Sequence, residues 1–445
     1  MTQLIAWFTA LLAVTAPVRF AFGQAGKTEI TKWQYGNKGA ISLTYDDGSI
    51  NQFRVAVPIM DIFGFPATFF IITGNIPGAQ YHGTFVGRPA KEIIEETARV
   101  PTNKDNFFER ASAVGFLGYE GTAAYRTHAG ELYDEGKNVD QAYRVLDEAY
   151  AKVRAGAFKP TRVQESAHRD GGNITWDELR SLANRQYEFA SHTVTHPRLA
   201  ALDDANLVYE LEMSRREMLA QLGFKHTFSV ECPYGTENQR AVSAALLRYQ
   251  LARNHMPDAN VDDLDRWNKM DPADSHKEYV RWQRGPLTET PMDLMKSWVD
   301  KTAAQGNVWL VLVFHGVDGV GWKPTTGAEL RDYFAYINSK KQSLWVATFQ
   351  DVAKYIRERT RGAVVSYTNG DAISVMLRSD ITDMGYDLPL TLKTYVPAEW
   401  KAADVRQGKR TQHVGILQEN GAAYILYQAV PNAEVTSLSA AAQNE

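Results

Sequence analysis

Short apolar segments that alternate with helical patterns constrain the fold of this chain more than any other feature. Each segment is rich in β-branched and aromatic residues and is followed by a turn, as expected for buried strands. Helix signals lie between them. Thr175 and Glu178 form a capping box, and another helix is predicted to have Pro291 at its first position and to end at Gly306. The alternation predicts an α/β fold with a parallel, barrel-like sheet. The seven predicted strands are 40–45, 66–72, 187–191, 227–231, 250–253, 308–314 and 344–348.

Two regions fall outside this alternation, and 445 residues exceed what one hydrophobic core usually supports. Residues 79–172 form a long helical insertion that includes an amphipathic helix from about Val139, whose apolar stripe we interpret as core packing. From 362 to 445 the pattern changes to strand-like alternation, with hairpin signals at Asn369-Gly370 and Asn420-Gly421. We therefore predict a catalytic barrel over 24–361 and a small antiparallel β-sandwich-like accessory domain over 362–445.

The N-terminus and the composition bear on location and partners. The uncharged run Leu4–Ala16 is too short to cross a bilayer and is typical of a signal peptide, which we place at 1–23. We therefore expect a secreted or periplasmic protein without a membrane span. The net charge of -4 gives no electrostatic reason to expect a nucleic acid partner. Cys232 is the only cysteine, so no intramolecular disulfide can form.

Polar residues follow the ends of several predicted strands. Asp46-Asp47-Gly48 follows the first strand, His192 and His196 follow the third, Pro233-Tyr234-Gly235 follows the fourth, and His315 follows the sixth. In a parallel barrel the carboxyl ends of all strands open on one face, where active sites are built. We expect these side chains to meet there although they are distant in sequence.

The two histidines and an aspartate predict a metal site. His192 and His196 are four residues apart, so both imidazoles can point the same way on a helical turn and share an ion. An Asp would complete the N/N/O ligand set of an open catalytic site, with a position left for water. Zinc is our first expectation, although such a set also accepts cobalt or another divalent ion.

The paired aspartates and His315 suggest acid–base chemistry around that metal. Adjacent residues at a strand end point in different directions, so one Asp can face the metal while the other takes a proton from a water that the metal acidifies. His315 lies at the same face and can protonate a leaving amine or alcohol.

Together these residues resemble the polysaccharide deacetylase family, carbohydrate esterase family 4. The resemblance covers roughly 38–78 and 173–358, and its motifs are Thr44–Gly48, Ser191–Pro197, Pro233–Gly235 and Phe314–Gly316. It implies a distorted (β/α) barrel, with Asp46 as general base and Asp47, His192 and His196 as metal ligands. By the same match His315 is the general acid, and the backbone N–H of Tyr234 helps to hold the oxyanion.

The sequence departs from the family pattern in two places. Where the third motif usually carries an Arg that braces the base, this chain has Glu231, and a second carboxylate beside Asp46 would raise the pKa of the base. We hypothesise that Arg253, at the end of the fifth strand, supplies the missing guanidinium. The family's Asp-Trp element has no clean match: Asp271 to Asp274 lacks the Trp, and Trp267 and Trp282 are candidates to line the cleft.

The resemblance implies hydrolysis of acetyl groups from a glycan, either N-acetyl on chitin-like or peptidoglycan sugars or O-acetyl on xylan. A second hypothesis keeps the fold and metal but cleaves another amide, such as one in a small cyclic molecule. A third, a glycan-binding module with a vestigial site, would predict the loss of a ligand or of the base. None of Asp46, Asp47, His192, His196 and His315 is missing.

Overall fold

The computed structural model describes residues 25–161, 174–235, 238–253 and 281–442, and the predicted signal peptide lies outside them. Two compact units are distinguished: one contains residues 31–361 and 380–390, and the other contains 25–30, 362–379 and 391 onward. Residues 25–30 thus group with the strands from 362 onward, and residues 380–390 group with the larger unit.

The larger unit is built on one parallel sheet, which confirms the predicted fold class. The first strand along the chain, β1 (Thr28–Ile30), belongs to the other unit. The next eight strands are β2 (Gly39–Tyr45), β3 (Thr68–Ile71), β4 (Glu188–Ser191), β5 (Ser229–Val230), β6 (Leu251–Ala252), β7 (Trp282–Arg284), β8 (Val308–Phe314) and β9 (Leu344–Val346). Their order is β6-β5-β4-β3-β2-β8-β7, and β9 also pairs with β2. Six of them lie within the predicted segments and β2 starts one residue before its segment, whereas β7 was not predicted.

Helices connect these strands, as the alternation predicted. The capping box of Thr175 with Glu178 is formed, and Gly306 ends its helix in the left-handed conformation. Pro291 is the N-cap of that helix and not its first helical residue, so the helix begins one residue later than predicted, at Met292. The α-helices of this part are Val57–Phe63, Trp176–Ala183, Asp204–Leu222, Gln239–Leu246, Met292–Gln305, Gly327–Ser339 and Phe349–Thr360. Shorter turns are the π-helical Gln52–Ala56 and the 3-10 segments Gln34–Gly36, Thr73–Asn75, Leu199–Ala201, Phe224–Thr227 and Pro233–Gly235.

The insertion is helical, as predicted, and has its own apolar cluster. The helix that begins at Val139 buries Ala142, Leu146, Ala149 and Tyr150, so its stripe is core packing. The side-chain oxygen of Asn138 caps this helix by accepting the Gln141 N–H. Its helices are Ala90–Glu96, Phe107–Val114, Thr122–Asp134 and Val139–Arg154.

The second unit consists of two antiparallel sheets. Its strands, besides β1, are β10 (Gly362–Asn369), β11 (Ala372–Ser379), β12 (Leu390–Tyr395), β13 (Ala402–Gln407), β14 (Arg410–Gly415), β15 (Leu417–Glu419), β16 (Ala422–Ala429) and β17 (Asn432–Ala440). The sheet orders are β1-β12-β16-β15 and β10-β11-β17-β13-β14. At the second predicted hairpin Asn420 and Gly421 both have positive φ, 50° and 82°, as a two-residue I′ turn requires.

Strand register sets which residues become neighbours at the carboxyl edge of the parallel sheet. Tyr45 pairs with Phe314, so the following residues, Asp46 and His315, leave the sheet side by side. Ser191 pairs with Val230, and Val230 pairs with Ala252. The same logic therefore places His192 beside Glu231 and Glu231 beside Arg253.

Candidate active site

Four non-glycine residues at this edge have left-handed backbone conformations. They are Asp47, Thr193, His196 and Tyr234, with φ between 60° and 73°. Such conformations are costly for residues with a Cβ and persist where surrounding contacts impose them, often at functional sites. The backbone thus turns sharply after β2, β4 and β5, and these turns carry the predicted site residues.

Asp47, His192 and His196 form a compact cluster of possible metal ligands, their donor atoms all within 4.8 Å of one another. The two Nε2 atoms are 3.1 Å apart, and Oδ1 of Asp47 lies 3.7 Å from Nε2 of His192 and 3.3 Å from Nε2 of His196. Ligands bonded to one Zn²⁺ at about 2.0–2.2 Å have mutual spacings of this size. The three residues therefore fit a shared divalent ion.

The tautomer of His192 is suited to this task. Its Nδ1 lies 3.1 Å from the backbone carbonyl of Glu231 and donates to it, which leaves the lone pair of Nε2 directed at the cluster. Burial lowers the pKa of His192 to about 4, so the ring is neutral at physiological pH. A neutral imidazole with one free lone pair is the form that binds a metal.

The loop that carries both histidines is held from two sides. From helix Asp204–Leu222, the buried Glu210 accepts hydrogen bonds from the backbone N–H groups of Val194 and Thr195, at 2.9 and 2.8 Å. On the other side, the N–H of Gly74 donates to the carbonyl of Val194. A Cβ on Gly74 would lie 2.5 Å from that carbonyl oxygen, so only glycine permits this approach. Sequence reasoning missed both residues.

Asp46 is held by Arg253, as hypothesised from the sequence. The guanidinium donates from Nη1 to Oδ1 at 2.8 Å and from Nη2 to Oδ2 at 2.7 Å, a two-pronged pair between almost fully buried side chains. Burial alone would raise the pKa of Asp46, but the neighbouring cations, Arg253 first among them, outweigh burial and lower the pKa to about 2. Asp46 is therefore ionised at neutral pH.

Glu231, at the position where the family resemblance implies an Arg, belongs to the same network. Its Oε2 lies 2.8 Å from Nε of Arg253, so one guanidinium faces both carboxylates. The charge that the sequence change would otherwise leave beside Asp46 is thereby offset.

His315 reaches the base from the other side. Its Nε2 lies 3.6 Å from Oδ2 of Asp46, and its ring meets the half-exposed indole of Trp322 edge-on at 4.7 Å. The buried amide of Gln52 donates to the backbone carbonyls of both Asp46 and His315 and so ties the two strand ends together. Gln52 starts the π-helical turn, a distortion often found at functional sites. No sequence motif pointed to Gln52 or Trp322.

The remaining predicted residues divide into three groups. Tyr234 lies at the site, its ring 4.6 Å from that of His196, and its oxyanion role stays a prediction. Trp282 does not line the cleft: it lies on β7 and is 1% exposed within the barrel core, because the segment is a buried strand. Trp267, Asp271 and Asp274 lie outside the described residues.

The site residues resemble those expected for polysaccharide deacetylases, and part of the chain also matches that family. Residues 129–251 match the family model described as polysaccharide deacetylase, which confirms the resemblance drawn from the motifs. The match includes His192, His196 and Tyr234 and excludes Asp46 and His315.

Individual relatives are distant. A gellan lyase from Bacillus sp is 24% identical over 271 residues, which is 58% of this chain, and the chain spans 11% of that protein's length. Similar solved structures include the Xyl-CE4 domain of a multidomain xylanase from the hindgut metagenome of Trinervitermes trinervoides (12% identity, 71% of this chain and 90% of that chain, TM-score 0.31). A family 4 carbohydrate esterase from Streptomyces lividans in complex with acetate is also 12% identical, covering 69% of this chain and 92% of that one, with a TM-score of 0.29.

Among the described residues, no helix combines the length and hydropathy needed to span a bilayer.

Proposed function

We propose that this protein is a metal-dependent hydrolase that removes acetyl groups from a glycan. One observation carries the proposal: the cluster of Asp47, His192 and His196 stands beside an ionised carboxylate, Asp46, that Arg253 holds in a fixed orientation. A ligand cluster alone would suit a structural metal. An adjacent base that is not part of the ligand set is what hydrolysis requires.

Asp47, His192 and His196 would hold the metal, which supplies a Lewis acid that acidifies water and polarises the acyl oxygen. Asp46 accepts one proton from the attacking water, and the oxygen of that water forms the new bond to the acyl carbon. His315, in its protonated form, donates a proton to the departing nitrogen or oxygen as the acyl bond breaks. The immediate products are acetic acid, which ionises to acetate in solution, and the free amine or alcohol. Return of the proton from Asp46 to His315 restores the starting state of the protein, so atoms and charges balance.

Other groups at the edge prepare these steps. The guanidinium fork of Arg253 fixes the plane of the Asp46 carboxylate, so the base does not have to be oriented in each turnover. The backbone N–H of Tyr234 is the proposed donor to the oxyanion. The exposed indole of Trp322 beside His315 offers an apolar face to a sugar ring.

We assign an acetylated glycan as the substrate class on the strength of the family resemblance, with N-acetyl amino sugars and O-acetyl xylan as the two forms to compare. The charge-free run Leu4–Ala16 supports the proposal of export, which suits an extracellular polymer.

The proposal is tested by measuring acetate release from a panel of N- and O-acetylated oligosaccharides, before and after metal removal by a chelator and after re-addition of Zn²⁺ or Co²⁺. We expect release from at least one member, its loss on chelation and its recovery with metal. His196→Gln should abolish both metal binding and release. His128→Gln, which changes a half-exposed histidine on the insertion, is the matched control and should behave as wild type. Release that persists without metal, or no release from any member, would overturn the proposal.

A further inference from the structure

A small pocket that opens to solvent lies against the ligand cluster, between the insertion and the loop after His196. His196 and Tyr234 form its wall on the side of the cluster, and Arg126, Thr127 and Arg198 contribute its polar surface. None of the residues that line it is acidic. The pocket therefore presents two guanidinium groups next to the proposed site of hydrolysis.

Arg198 is held rigidly at this pocket. Its side chain is 8% exposed, its Nη1 forms an ion pair with Glu135, and its guanidinium lies 4.1 Å above the ring of Tyr234. Its Nε is buried and has no acceptor among the described residues. A buried N–H without an acceptor is costly, and a ligand oxygen would satisfy it.

Arg126 comes from the insertion helix Thr122–Asp134 and is half-buried. Its guanidinium lies 5.0 Å from the ring of Phe116, and a Cβ on Gly115 would lie 3.0 Å from its Nε, so the absence of a side chain at Gly115 makes room for it. Within the described residues no carboxylate lies at ion-pair distance from Arg126. Glu210 opposes its charge only from a distance, and the oxygens of Glu210 are engaged by the histidine loop.

The pocket contains two cations, Arg198 with a buried unsatisfied N–H and Arg126 without a carboxylate partner. This arrangement favours the binding of an anion. Desolvated guanidinium groups are favourable when a ligand supplies the opposing charge and planar acceptors. A carboxylate matches the fork geometry of a guanidinium and occurs on acidic sugars. The position beside His196 places such a group on the sugar that carries the acetyl group or on its neighbour.

We propose that the Arg126–Arg198 pocket binds a carboxylate of the substrate, so that the preferred substrate is an acidic acetylated glycan. This inference rests on the proposed deacetylase function. It also assigns a role to the insertion, which supplies Arg126.

The test uses two acetylated oligosaccharides that differ in one group. The first has a uronic acid next to the acetylated sugar, and in the second that uronic acid is methyl-esterified. For the wild-type protein we expect kcat/KM to be roughly 10- to 100-fold higher on the acid, as expected for one or two charge-assisted hydrogen bonds, and to decrease with added salt. Arg126→Gln should lose most of this preference while keeping its rate on the ester. Arg144→Gln, at an exposed position on the neighbouring insertion helix, makes the same charge change and should leave the preference intact.

Binding of both oligosaccharides to chelator-treated protein, measured by calorimetry, supplies a readout that does not depend on turnover. Tighter binding of the acid that is lost in Arg126→Gln would support the pocket even if no acetate were released, in which case only the deacetylase proposal fails. Equal binding and equal kcat/KM for the acid and the ester, or an equal loss on both substrates in Arg126→Gln, would overturn the inference.

Discussion

Replacing Arg253 with Met tests the arrangement in which one guanidinium serves two carboxylates. The substitution keeps an unbranched side chain of similar length and removes the cation between Asp46 and Glu231. Because Arg253 holds the pKa of Asp46 low, we expect the variant to bind metal but to work only at higher pH.

The magnitude follows from burial. Both side chains of the pair are 4% exposed, and removing one partner of a buried pair typically costs about 3–5 kcal/mol. If this free energy acts entirely on the ionisation of Asp46, it raises the pKa of Asp46 by roughly 2–4. The pKa of Asp46 would rise from about 2 to roughly 4–6. Asp46 acts as an anion, so activity is kept above its pKa and lost below it. The loss of activity that is due to Asp46 therefore moves from below the assayed range in wild type to roughly pH 4–6 in the variant.

At pH 7 Asp46 would remain mostly ionised, so the loss there reflects orientation alone. We expect a fall in kcat/KM of about 100-fold, the lower end of what a positioned base contributes. The variant should also be less stable. In wild type the lowered pKa of Asp46 stabilises the folded state at pH values above the ordinary pKa of 3.8, and this stabilisation is lost as pH falls towards 2.

The assay is kcat/KM for acetate release between pH 4 and 9, together with metal content and denaturant unfolding. Glu231→Gln in the Arg253→Met background should recover part of the stability, because one of two unbalanced carboxylates is then neutral. Arg110→Met is the control: Arg110 is fully buried and paired with Glu96 in the insertion, so its loss should lower stability without moving the pH limb. An Arg253→Met protein with bound metal, full turnover and an unshifted acid limb would refute the reasoning.

Three further predictions concern the support of the site and the base of the sheet. Gly74→Ala should weaken metal binding at least tenfold, measured by competition with a chromogenic chelator, because its Cβ would lie 2.5 Å from the Val194 carbonyl; unchanged affinity would contradict this. Glu210→Ala should also lower metal affinity and destabilise the fold by about 2–3 kcal/mol, since buried N–H groups of the histidine loop lose their acceptor; a variant as stable as wild type would argue against the role. Burial raises the pKa of Glu188 from 4.5 to about 7, so its protonated form contributes fully to the free energy of unfolding below pH 4.5. This contribution, about 3 kcal/mol, is lost as pH rises to 7. Denaturant unfolding of Glu188→Gln should therefore depend less on pH over this interval than wild type, and parallel pH dependences would reject the prediction.

The sequence predicted the parallel sheet well because its signals are local. Each predicted strand is an apolar segment buried on both faces, as parallel sheets require, and turn and capping residues mark its ends. The strand β7 was missed because Trp282–Arg284 has a single apolar residue followed by two polar ones, so it does not form an apolar segment. Its burial depends on pairing with β8, which no local pattern in the segment indicates.

Residues that act through backbone contacts were also beyond sequence reasoning. Gln52, Gly74 and Glu210 hold the site by hydrogen bonds to carbonyl and N–H groups of distant loops. Their residue types are common, and nothing in their spacing distinguishes them. The cationic pocket depends likewise on where the insertion helix Thr122–Asp134 meets the loop after His196.

By itself the sequence determined the chemical types at the site: an Asp pair, two histidines four residues apart and a third after a buried strand. These types limit the chemistry, because few side chains bind metals or exchange protons near neutral pH. Only the tertiary structure decided which charged side chains at the site form ion pairs with each other. Glu231 stands where the family resemblance implies an Arg, and the sequence left open whether Glu231 would disturb the base. The register of β4, β5 and β6 places Arg253 beside Glu231 and within reach of Asp46, so that one guanidinium offsets both carboxylates. Strand pairing is a long-range property, and for that reason the compensating residue could be proposed from the sequence but not assigned.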